Sequence, residues 1–106
     1  PVALFGLGSA RYALQDLAGA RWAWERYVSD NPNDVPGLNN LAVVLGELGC
    51  PERGLRLAEL ALYRSSPGDE LHAEVLDTIE ALRAGAQHPE RGECVPDAAV
   101  VPSTAD

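Results

Sequence analysis

Between residues 35 and 64 the apolar positions fall into two helical runs separated by a tight break. Leu38, Leu41, Ala42 and Leu45 recur at steps of three, one and three, which traces one face of a helix with 3.6 residues per turn. Asp34 is placed to cap that helix, and Pro36 sits in its first turn, where a missing amide is harmless because the first four amides lack partners anyway. Gly49 ends it. Pro51 then opens a second helix, with Glu52 in the first turn, where a negative charge suits the helix dipole. Leu55, Ala58, Ala61 and Leu62 form its apolar stripe, and Arg53, Arg56, Glu59 and Arg64 are expected largely on other faces. Ser66 and Pro67 stop it.

The flanks follow the same plan. Residues 2–14 read as a helix weakened by Gly6 and Gly8, and residues 17–29 as a second helix that turns Ala20, Trp24 and Tyr27 inward. Residues 30–34, Asp-Asn-Pro-Asn-Asp, are a turn. After Pro67 a fifth helix is expected, opened by a capping-box-like pair of Ser66 and Asp69, striped by Leu71, Val75, Leu76, Ile79 and Leu82, and closed by Gly85. Periodicity disappears over 86–106, where Pro89, Pro96, Pro102 and Gly92 predict an extended tail; Val95 with residues 98–101 offers it a short apolar strip for docking. The chain is therefore expected to be all-α, with about five helices.

Shifting the chain so that Leu4 falls on Leu38 superimposes the first two helices on the next two. The same shift brings Leu7, Gly8 and Ala20 onto Leu41, Ala42 and Gly54, and Trp24 and Tyr27 onto Ala58 and Ala61. A unit of about 34 residues with Leu-Gly, a turn Gly, an Ala and a closing Pro is the pattern of the tetratricopeptide repeat. Over about residues 2–68 the chain resembles that family, through Leu4, Leu7-Gly8, Ala20, Trp24 and Pro32 in the first unit. In the second unit the matches are Leu38, Leu41-Ala42, Gly49, Ala61 and, one place late, Pro67. It departs from the pattern at Gln15, where the turn Gly belongs, at Arg11-Tyr12, where one aromatic belongs, and at Gly54, where an Ala belongs. The resemblance implies an α-α superhelix built of hairpins, with residues 1–34 and 35–68 as two repeats, 69–85 as a capping helix and 86–106 as the tail. An unrelated four- or five-helix bundle is the alternative architecture. Two repeats are fewer than the three or so that usually make a stable stack, and the chain starts at Pro1 without Met, so earlier repeats or a second copy are expected to cover the first helix.

Composition narrows the partners. The 106 residues suit one small domain, and 46% hydrophobic residues are enough for a core. Sixteen acids against eight bases give a formal charge of −8, which disfavours nucleic acid or an anionic membrane surface. All eight bases are Arg, which suggests a GC-rich, bacterial genome; the cytoplasm is set ahead of periplasm or envelope. Cys50 and Cys94 could join the inter-helix turn to the tail, a bond that needs an oxidising compartment, but the reading leans towards two unlinked thiols. With His72 and His88 they lack zinc-site spacing, and His72 reads as a rim residue. No cofactor is implied, and no nucleophile, metal or phosphate-loop motif supports an enzyme. Trp22 lies off the inward stripe and is expected against a neighbouring helix or the tail rather than as a partner hot spot.

What remains is binding. The family's inner groove is lined by the first helix of each repeat, so the resemblance implies Phe5, Ser9 and Tyr12, then Asn39, Asn40, Val43 and Glu47. The cap would add Glu70, Ala73, Glu74, Asp77 and Glu80. The best-known branch of the family clamps chaperone carboxyl termini. Asn40 matches one of its residues, but Phe5 and Ser9 stand where a Lys and an Asn belong, so such a clamp is not expected. The expected function is a non-catalytic protein-binding module, an adaptor or scaffold whose groove takes a segment with apolar and basic side chains. The alternative is a self-assembling piece that pairs into a homodimer through the first helix or the tail.

Overall fold

The computed structural model describes residues 2–86 together with Cys94. They form five helices, α1 (Val2–Ala13), α2 (Leu17–Asp30), α3 (Val35–Glu47), α4 (Pro51–Arg64) and α5 (Glu70–Gly85), with no strand among the described residues. The architecture is all-α and made of antiparallel hairpins. The expected tail docking lies outside the described residues.

The two hairpin turns share one pattern of backbone hydrogen bonds. After α1 the Asp16 amide donates to the Arg11 carbonyl at 2.8 Å, and the Gln15 amide to the Tyr12 carbonyl at 2.9 Å. After α3 the Cys50 amide donates to the Leu45 carbonyl at 2.8 Å, and the Gly49 amide to the Gly46 carbonyl at 3.1 Å. These are the paired bonds of a Schellman turn, which require one residue of left-handed backbone. Gly49 supplies it with φ 90°, and Gln15 is held at φ 63° in the equivalent place. Helix ends α2 and α4 match as well: the Asn31 amide reaches Tyr27 and Val28, and the Ser65 amide reaches Ala61 and Leu62.

Side-chain caps behave as local chemistry dictates at two of the helix starts. Asp16 accepts from the Gly19 amide at 2.9 Å, and Asp34 from the Gly37 amide at 3.0 Å. The expected pair at the start of α5 is not made: Asp69 is the N-cap residue without a side-chain bond, and it is its backbone amide that reaches the Ser66 carbonyl, at 3.1 Å. Gly68, at φ 97°, shapes this turn, and the start of α5 falls one place later than an exact repeat of the α3 start would put it. The ends of α2 and α4 keep the 34-residue offset, so the delay arises after Ser65, and Pro67 stands one place late with it.

Two apolar clusters hold the stack. Leu38, Ala42, Ala58, Ala61, Val75, Ile79 and Leu82 join α3, α4 and α5; Ala20, Trp24, Leu41, Val44, Leu45 and Cys50 join α2, α3 and the following turn. Small residues set the helix spacing. A Cβ at Gly8 would come within 2.5 Å of Trp24 Cε2, so only glycine lets the indole lie across α1. At Gly54 a Cβ would meet the Ala42 carbonyl oxygen at 2.9 Å, which explains this departure from the family's Ala. Leu41 is buried, whereas Leu7, in the first helix, is half-buried.

Two polar side chains are buried in the stack, Glu25 and Asn39. Glu25 on α2 accepts from Arg21 Nε at 3.1 Å and from Arg53 Nη2 on α4 at 2.7 Å, so Arg53 does not lie on an outer face. The preference for unlinked thiols is overturned as well. Cys50 and Cys94 form a disulfide with 5.4 Å between their Cα atoms. Gly85, at the end of α5, lies beside Pro51, so α5 delivers the following chain to the turn that carries Cys50.

Candidate functional site

Helices α1, α3 and α5 present their exposed faces to a row of clefts. The first, of about 200 Å³, is lined by Ser9 and Tyr12 of α1, Asn40, Val43 and Val44 of α3, and Trp24 of α2. The second, of about 380 Å³, runs from Val43, Gly46 and Glu47 across to Asp77, Thr78 and Leu82 of α5. Val43 is a wall of both. A third, of about 490 Å³, lies at the turn end of α1, where Tyr12 and Glu47 meet Gln15 and Leu17.

Tyr12 and Glu47 join these spaces. The Tyr12 hydroxyl donates to Glu47 Oε2 at 2.6 Å, linking α1 to α3. That hydrogen bond, then burial and the Glu47 charge, raises the phenol above its ordinary value, because each favours the neutral form. The surface of the first cleft is mostly apolar and its lining includes no carboxylate, whereas Glu47 borders the second and third clefts and Asp77 the second.

The expected groove residues divide into three groups. Ser9, Tyr12, Asn40 and Val43 share the first cleft, and Val43, Glu47 and Asp77 share the second. Phe5 lines none of these clefts. It packs edge-on to Trp24 and Tyr27 at 4.5 and 5.2 Å between ring centroids, and these two rings stand 5.6 Å apart, so Phe5 belongs to the core. Burial around this trio, and then the Asp34 carboxylate, raises the Tyr27 phenol. Asn39 is buried, and among the described residues its Oδ1 has no hydrogen-bond partner. Glu70 is exposed in the first turn of α5 and lines none of these clefts.

No family model, curated protein or solved structure matches this chain.

The titratable groups of the clefts are Tyr12, Glu47 and Asp77, with neither His nor Cys among the lining residues. His72 instead shares a 2.7 Å hydrogen bond with Ser65 Oγ at the α4–α5 turn. Among the described residues no three His, Cys, Asp or Glu side chains converge to hold a metal ion. No described helix is long and apolar enough to cross a membrane. Sequence reasoning missed Trp24 and Val44 as cleft walls: Trp24 belongs to the inward stripe of α2, Val44 falls in no predicted stripe, and both are almost fully buried.

Proposed function

We propose that this chain is a non-catalytic docking module that binds an extended segment of a partner protein along α1, α3 and α5. One observation carries the reading: an apolar cleft and a larger cleft bordered by Glu47 and Asp77 lie side by side and share Val43 as a common wall. A bound segment would place an apolar side chain against Tyr12 and Val43 and a Lys or Arg near the two carboxylates, where opposite charge favours specificity. The recurrence of the same turn bonds after α1 and after α3 supports the resemblance to tetratricopeptide repeats, and with it an adaptor or scaffold role. The Cys50–Cys94 disulfide favours an oxidising compartment over the cytoplasm.

Selection of displayed peptides on the whole protein tests this reading. Enriched sequences are expected to carry an apolar residue close to a Lys or Arg. Val43→Arg, which fills the shared wall with a cation, should weaken their binding by at least about tenfold, with the helical circular dichroism unchanged. Peptides that bind Val43→Arg and wild type equally would remove the groove from the proposal.

A further inference from the structure

Away from the clefts, Trp22 lies half-buried on α2 with two guanidinium groups close to its ring. Arg11 Cζ from α1 stands 5.7 Å from the indole centroid, and Arg26 Cζ from α2 stands 5.6 Å away. Both fall within the range of cation–π attraction. Arg11 is held further by donating from Nη1 to the Gly19 carbonyl at 3.3 Å. Among the described residues neither Arg11 nor Arg26 has a carboxylate partner, and Trp22 belongs to neither apolar cluster. A held cationic pair around a Trp, in a chain of net charge −8, presents the residue types that dominate binding hot spots.

The repeat register shows what this pair faces. One repeat further along the chain, Arg11 corresponds to Leu45, which is fully buried, and Arg26 to Leu60, which packs against the core. The start of α5 falls one place late in that register, so Leu45 corresponds in turn to Glu80. One position thus carries a cation at one end of the stack, a leucine in the middle and an anion at the other end. On α5, Glu70, Glu74, Asp77 and Glu80 follow at steps of four, three and three, all exposed on one face.

We propose that the Arg11–Trp22–Arg26 face docks the acidic face of α5 of a second copy, head to tail. The charges are complementary, and a single chain cannot satisfy itself: α1 packs on α2, while α5 packs on α3 and α4 at the far end of the stack. The contact joins two different surfaces, so it leaves one of each free and permits further addition. It is electrostatic and therefore weakens with salt.

Sedimentation velocity over a range of protein concentrations tests this on the intact protein. At low ionic strength the weight-average sedimentation coefficient should rise with concentration, and ~0.5 M salt should reverse the rise. Arg11→Glu/Arg26→Glu and, separately, Glu74→Arg/Glu80→Arg should each weaken association at least about tenfold. Arg11→Glu/Arg26→Glu leaves every residue that lines the clefts in place, so peptide binding in the groove should survive in that variant. Mixing the two variants should restore association, through the reversed pair and through the wild-type faces that each variant keeps, and combining all four substitutions in one chain should restore it through the reversed pair alone. A monomer at every concentration overturns the proposal. So does association that either variant leaves unchanged, or a mixture of the two that stays monomeric.

Discussion

Gln15 sits where a side chain is least welcome, at φ 63° in the turn between α1 and α2. Left-handed backbone costs a non-glycine residue roughly 1–2 kcal/mol, and glycine returns part of that through its freer unfolded chain. Gln15→Gly should therefore stabilise the protein by about 0.5–1 kcal/mol, read as a higher urea midpoint with unchanged slope. This position was legible in the sequence, because the shift that lays Leu7 on Leu41 also lays it on Gly49. Asp16 and Asp34 were legible for the same kind of reason: a cap bonds an amide three residues ahead, and nothing distant is needed. Phe5 was not. Whether an aromatic on an outer turn of α1 meets solvent or two other rings depends on where α2 crosses.

Between elements, the Tyr12–Glu47 hydrogen bond ties α1 to α3 across 35 residues. It raises the folded-state phenol above its unfolded value of 10.0, so the native state holds this proton more tightly. The contribution to stability is complete below pH 10.0 and is lost as pH rises through the folded value. Urea midpoints on either side of pH 10.0 should show a smaller alkaline loss for Tyr12→Phe than for wild type, with a residual loss from Tyr27, whose phenol is raised by burial and Asp34. Helix boundaries came from the chain's own periodicity, and α1 to α5 lie within a residue or two of expectation. Pairings such as Glu25 with Arg53 did not, since the partners are 28 residues apart and each alone reads as a surface charge.

For the molecule as a whole, the Cys50–Cys94 bond fastens the chain beyond α5 to the turn at the start of α4. With a sequence separation of 44 between the linked positions, the loop-entropy model assigns it about 4 kcal/mol. Reduction, or Cys94→Ser, should lower the unfolding free energy by that order, measured by denaturant titration with and without reductant. The five helices, most of their caps and turns, and the recurrence that lays the first hairpin on the second were determined by sequence alone, because each rests on neighbours within one or two turns of chain or on a pattern read along it. Tertiary structure decided the rest: which of the expected groove residues face open space, that Glu25 is buried among arginines, and that two distant thiols meet. The physical reason is range. Propensity and capping act over a few residues, whereas clefts, buried charge and disulfides exist only once separate helices have been brought within a few ångströms of one another.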